Sequence, residues 1–220
     1  LSTAKNPNKL CDTLTGMLKA KCVKGWKVTK FIASGAFGHV FRVVKSNGKQ
    51  AVMKVQVGSA KEIKHEVTTQ KQFGRKGLAP KILEYYVPHK EGHMVHIIVM
   101  EEIAGVVGDW LKLLKSKEQL GQLSLDILTL VEEFKKHKLT HADLHLWNLG
   151  YVYTDSSKKY MRLMPIDFGR SVVGESNPGL EIGAILRILS FSEDVPEFNR
   201  RVIANLLRAL SPQRFGVSFP

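Results

Sequence analysis

Three short stretches rich in apolar, largely β-branched and aromatic residues and interrupted by polar positions, residues 26–32, 40–44 and 50–55, are predicted to be strands. Residues 59–73 change to a helical period, with Ser59 at the N-cap and Ile63, Val67 and Gln70 along the inner stripe. Gly77-Leu78-Ala79-Pro80 stops that helix, and strands follow at 81–87 and 94–100, joined by a turn at 88–92. The second half reads differently. Helices are predicted over 107–116 and 119–138, the longer one placing Leu120, Leu123, Ile127, Leu130, Val131 and Phe134 on one face. Strands at 149–153 and 160–166 flank a polar turn at 154–157, a loop spans 169–178, and helices at 179–191 and 196–210 close the chain. Ahead of all these, Leu10, Leu14, Met17 and Leu18 recur at the spacing of a short amphipathic helix. The pattern is α+β: a basic extension over 1–25, a five-stranded antiparallel lobe with one helix over 26–103, and a mostly helical lobe over 104–220.

With 220 residues, 44% hydrophobic and 24% charged, the chain has the composition of a globular protein able to bury a core. No apolar run approaches the roughly 18 residues of a membrane span, so neither a membrane partner nor an export signal is expected. Cys11 and Cys22 are too few for a disulfide framework or a zinc site. A reducing, intracellular and cytoplasmic setting is the expectation, or a host cell's cytoplasm or nucleus for a virus-encoded chain. The net charge of +13 is unevenly placed: residues 1–100 hold 18 Lys/Arg against 5 Asp/Glu, whereas residues 101–220 hold 15 of each. Such asymmetry points to an acidic or polyanionic partner for the first half. No nucleic-acid motif accompanies it, so nucleic-acid binding is not predicted.

The stretch Thr140-His141-Ala142-Asp143-Leu144-His145-Leu146-Trp147-Asn148 carries the clearest chemistry. Eighteen residues beyond Asn148, an apolar run ends at Ile166-Asp167-Phe168-Gly169. Asp143 can accept the proton of an attacking hydroxyl. Asn148 and Asp167 offer hard oxygen ligands to Mg²⁺, which needs few protein ligands because water and substrate phosphates complete its shell. Upstream, Ala33-Ser34-Gly35-Ala36-Phe37-Gly38-His39 joins two antiparallel strands with small residues that let backbone N–H groups approach phosphates. Lys54 lies in an apolar strand, where an ammonium needs a partner. Of the two acids on the following helix, Glu66 at its middle is preferred over Glu62. Residues 101–105 form a crossing segment with backbone groups available to an adenine edge. Trp147 is read as packing, and His89, His93 and His96 as surface histidines rather than metal ligands.

These residues together resemble the protein kinase superfamily from about Trp26 onward. Ile32-Ala-Ser-Gly35-Ala-Phe37-Gly38-His-Val40 is similar to its glycine-rich loop, with Ala33 in place of the first glycine. Ala51-Val-Met-Lys54 is similar to its third-strand lysine element, His141-Ala-Asp143 with Asn148 to its catalytic loop, and Asp167-Phe168-Gly169 to its metal-binding turn. The resemblance implies a bilobal kinase-like fold and an ATP- and Mg-dependent Ser/Thr protein kinase. In it Lys54 holds the α- and β-phosphates, Glu66 orients Lys54, Asp143 is the base, and Asn148 and Asp167 bind Mg²⁺. It further implies contacts to the nucleotide from Ile32, Ala33, Ser34, Gly35, Gly38 and Val40. Ala51, Met100, Glu101, Ile103, Asn148 and Ile166 complete that set.

Departures from the family pattern narrow the reading. Ala142 replaces the arginine that pairs with a phosphorylated activation loop, so switching of that kind is not expected. His145 replaces the usual lysine two residues after the base and is assigned to the catalytic set. No Ala-Pro-Glu motif follows Gly169, and 51 residues remain after it. The chain is therefore similar to minimal atypical kinases, including those of tRNA-modification complexes, and shares features with haspin-like, casein-kinase-like and vaccinia-related kinases. Two alternatives remain. His141-Ala-Asp-Leu-His145, with 174–178 and Glu181, also fits small-molecule kinases of the aminoglycoside or choline type. A pseudokinase-like binding module is the other, although Lys54, Asp143 and Asp167 are all present.

Overall fold

The computed structural model describes residues 25–35, 38–87, 95–114, 116–156 and 161–218. The expected helix at 10–18, both cysteines, Ala36, Phe37, the turn at 88–92 with His89, and His93 lie outside them. The architecture is α+β. Two compact units divide the described residues: one runs up to Val67 and resumes over Pro80–Glu102, and the other comprises Thr68–Ala79 and the residues from Ile103 onward. Among the described residues no helix is long and apolar enough to cross a membrane.

The first unit is built on one antiparallel sheet of β1 (Trp26–Gly35), β2 (Gly38–Lys45), β3 (Gln50–Val57), β4 (Ile82–Tyr86) and β5 (Val95–Met100), in the order β1-β2-β3-β5-β4. Alternation decides its faces. Ala51, Met53 and Val55 of β3 join Trp26, Phe41, Val43, Ile97 and Val99 in one apolar cluster, while Val52, Lys54 and Gln56 point to the other side. On that other side Ile98 packs with Ile63 and Val67 of helix α1 (Ala60–Arg75). Ile97, Ile98 and Val99 are all fully buried, as expected of a strand covered on both faces. His96 is buried for the same reason, at 1% exposure, which corrects its reading as a surface histidine. The β1–β2 connection needs glycine at 38. Its φ is +135°, and a Cβ there would stand 2.3 Å from the Val55 carbonyl oxygen.

In the second unit α2 (Val107–Leu113), α3 (Lys117–His137), α4 (Pro178–Phe191) and α5 (Glu197–Phe215) surround one core. The α3 stripe read from the sequence is buried throughout, joined by Ser124 and Leu128. Ser116 caps its start, and Lys138, in the left-handed region at φ 53°, ends it. Helix α2 stops at Leu113 rather than continuing to 116, because the buried Asn199 donates to the carbonyls of Leu111 and Leu114 and satisfies its C-terminal end. Helix α5 runs five residues past the expected end at 210. Pro212 falls in its last turns, and Gly216 caps it with φ 65°.

Two-residue strands β6 (Gly105–Val106), β7 (Leu139–Thr140) and β10 (Val172–Val173) frame the longer β8 (Leu149–Tyr153) and β9 (Met161–Pro165). A Cβ on Gly150 of β8 would lie 2.7 Å from both Ile103 Cδ1 and the Met164 carbonyl oxygen. The side chain can give way but the strand carbonyl cannot. Gly150→Ala is therefore expected to cost about 1–3 kcal/mol, read as a lower urea midpoint with an unchanged slope.

Candidate active site

The second unit carries the candidate residues Asp143, Asn148 and Asp167 on two loops tied at both ends. Residues 141–148 run from β7 to β8, and residues 166–171 run from β9 to β10. β8 pairs with β9 through Leu149 opposite Pro165, and β7 pairs with β10 through Thr140 opposite Val172. The same two strand pairs thus anchor both loops. Cross-links tighten the frame: Ile166 N donates to Asn148 O (2.9 Å), His141 Nε2 bonds Ile166 O (3.0 Å), and Ser171 Oγ donates to His141 O (3.0 Å). Because a carbonyl oxygen only accepts, His141 carries its proton on Nε2. Burial pushes that imidazole down to about 4, so it stays neutral and serves as a fixed strut. Phe168, fully buried, packs its ring against His141 at 5.1 Å and Phe73 at 4.9 Å.

Asn148 donates its amide Nδ2 to the Asp143 carbonyl oxygen at 3.0 Å, which leaves Oδ1 as the accepting atom of its side chain. Asp167 adopts φ 66° and Ala142 φ 64°, both in the left-handed region. An alanine there is strained by about 1–2 kcal/mol unless its surroundings hold it. Glu181, in the first turn of α4, supplies the hold. Its Oε1 accepts from the backbone N–H of His141 (2.5 Å) and of Ala142 (3.2 Å). His145 points its Nδ1 at the N–H groups of Trp147 (3.3 Å) and Asn148 (3.2 Å), and burial pushes its pKa below the ordinary value. Trp147 packs against Gly108 of α2 and the core. Asp143, half-buried, lies 3.6 Å from the Arg170 guanidinium.

Glu181 also sets a pH dependence. Burial raises its pKa from the ordinary 4.5 to about 7, against the two backbone hydrogen bonds that lower it. A raised carboxyl pKa means that the native state resists ionisation more than the unfolded chain does. The stability given by the neutral form is full below the ordinary value and is lost as pH rises through about 7. Glu181→Gln keeps an accepting oxygen and removes this titration. Between about pH 5 and pH 8, urea unfolding should show the parent losing on the order of 2 kcal/mol relative to that variant.

In the first unit, Lys54 Nζ donates to Glu66 Oε1 at 2.6 Å, with only 14% and 9% of the two side chains exposed. Gln56 Nε2 donates to Glu66 Oε2 at 3.1 Å, so both carboxylate oxygens are held. Glu62, the other acid of α1, is exposed. Across the sheet, Ala33 opposes Val40, Val40 opposes Lys54, and Lys54 opposes Ile98 in one row. Val52 and Met100 form the next pair on the same face. Ala51 is not part of this group. It turns to the opposite face and is fully buried there, whereas Val52, two residues before Lys54, shares the lysine's side. Ile32 and Ser34 are exposed on β1, and Gly35 faces Gly38 across the β1–β2 register. The Glu101 N–H donates to Lys81 O at 3.0 Å, so that donor is already used within the first unit. Ile103, in the second unit, is half-buried, as is Ile166.

Gln56, Arg170 and Ser171 carry no assignment from the sequence, and Glu181 entered there only through the resemblance to small-molecule kinases. A polar residue two positions after Lys54 on an otherwise apolar face is a signal for Gln56. Glu181 bonds residues about 40 positions away, which no local pattern announces. Among the described residues no three His, Cys, Asp or Glu side chains gather as for an all-protein metal cage. The donor set of Asn148 Oδ1 and the Asp167 carboxylate suits Mg²⁺, which takes one or two carboxylate or carbonyl ligands beside substrate phosphates. No protein-family model and no curated protein matches this chain.

Proposed function

We propose that this chain is an ATP- and Mg-dependent phosphotransferase with a protein-kinase-like fold, acting on Ser or Thr hydroxyls of a protein substrate. The observation that carries the reading is the pair of loops bearing Asp143, Asn148 and Asp167, fixed to each other by the Ile166–Asn148 and His141–Ile166 bonds. Positioning and charge stabilisation dominate phosphoryl transfer, and such a frame supplies both. The frame positions the Asp143 carboxylate to take the proton of the acceptor hydroxyl. Asn148 and Asp167 would hold Mg²⁺, which would supply charge neutralisation for the transferred phosphoryl group. In the first unit, Glu66 fixes Lys54 as a phosphate-binding cation, and Val40, Val52 and Met100 offer an apolar face to a base.

Radiolabelled ATP with Mg²⁺ tests it, scored against generic protein acceptors, autophosphorylation and a panel of aminoglycosides and choline. Label on protein is the expected result. Label on a small molecule alone moves the assignment to the aminoglycoside or choline type, and nucleotide binding without transfer to a pseudokinase-like module.

A further inference from the structure

Arg170 lies just beyond the Asp167–Gly169 turn. Its side chain is 73% exposed, yet Nη1 sits 3.6 Å from Asp143 Oδ1. That separation exceeds a hydrogen bond, so the pair is held by charge without being locked. An exposed pair of this kind contributes at most about 1 kcal/mol and is readily exchanged for a better anion. The neighbouring acids have other tasks. Glu181 is buried on two backbone N–H groups, and Asp167 is the metal ligand of the proposed reaction.

We propose that Arg170 selects acceptors carrying a carboxylate or phosphate group beside the reactive Ser or Thr, and that this group draws the guanidinium away from Asp143 as the acceptor docks. The inference rests on the phosphoryl-transfer reading and names its substrate class. In the step, the acceptor oxygen forms a bond to the γ-phosphorus. The bond from that phosphorus to the bridging oxygen breaks with its electron pair going to ADP, and the hydroxyl proton passes to Asp143. Oδ1 faces Arg170 in the free protein, so withdrawing the arginine clears the side that the proton must reach. An anionic acceptor thus uncovers the base, and a neutral one leaves it covered.

The test uses matched peptides in which Ser is flanked by Asp or phosphoserine, by neutral residues, or by Lys, with the parent chain, Arg170→Ala and Arg170→Glu. Binding of the same peptides with Ser→Ala, followed by fluorescence anisotropy without nucleotide, gives a readout independent of transfer. The parent should bind and phosphorylate anionic peptides about three- to tenfold better than neutral ones. Arg170→Ala should erase the preference and Arg170→Glu turn it toward Lys-flanked peptides. A merely structural role would weaken all peptides alike. Equal binding of anionic and neutral peptides by the parent, or a preference that survives Arg170→Ala, overturns the inference. Because binding is read without ATP, it decides the role of Arg170 even if the transfer assay returns no product, an outcome that counts against the phosphoryl-transfer reading alone.

Discussion

Asp143→Asn is expected to lower phosphoryl transfer by about 10²–10⁴-fold, the range a positioned general base contributes, while leaving the fold intact. The frame around Asp143 is held through its backbone: Asn148 Nδ2 bonds the Asp143 carbonyl oxygen, which the substitution retains. The side chain's ion pair is the one to exposed Arg170 at 3.6 Å, whose loss costs at most about 1 kcal/mol. Thermal unfolding of the variant should therefore stay close to the parent. Activity within tenfold of the parent would assign the base to another residue.

Lys54→Met should destabilise the first unit by about 3–5 kcal/mol, because it leaves a buried carboxylate without its cation. Lys54 and Glu66 meet at 2.6 Å with little exposure, under α1 and between Val40 and Ile98 of the adjacent strands. Combining Lys54→Met with Glu66→Gln removes both charges and keeps an acceptor for Gln56. The double variant should regain much of the lost stability, with a coupling of about 2–3 kcal/mol in a double-mutant cycle. Transfer should remain lost in both. Recovery of transfer together with stability would make the pair structural and nothing more. Chemical unfolding and the labelled-ATP assay on the four chains separate the two outcomes.

Much of this frame was legible in the residues. The period of two in β3 places Ala51, Met53 and Val55 on one face and Lys54 on the other, and the α3 stripe is a plain 3.6-residue repeat. The same rule, applied strictly, puts Val52 rather than Ala51 beside Lys54. His96 needed a further step: it shares the face of Ile98, which α1 covers, so burial follows from packing and not from its own polarity. Strands of two residues, such as β7 and β10, carry no period at all, and yet they clamp the ends of both candidate loops. Glu181 and Arg170 come from packing over distance. Nothing local to residues 178–181 shows that a carboxylate there holds the left-handed Ala142.

Hydroxyl-directed phosphoryl transfer with Asp143 as base is the reaction proposed for this chain. Phosphoamino-acid analysis of the product formed from γ-labelled ATP and Mg²⁺, by the parent and by Asp143→Asn side by side, tests it most directly. Acid-stable phosphoserine or phosphothreonine is expected from the parent and almost none from the variant. Acid-labile product, or equal yields from the two chains, would contradict it.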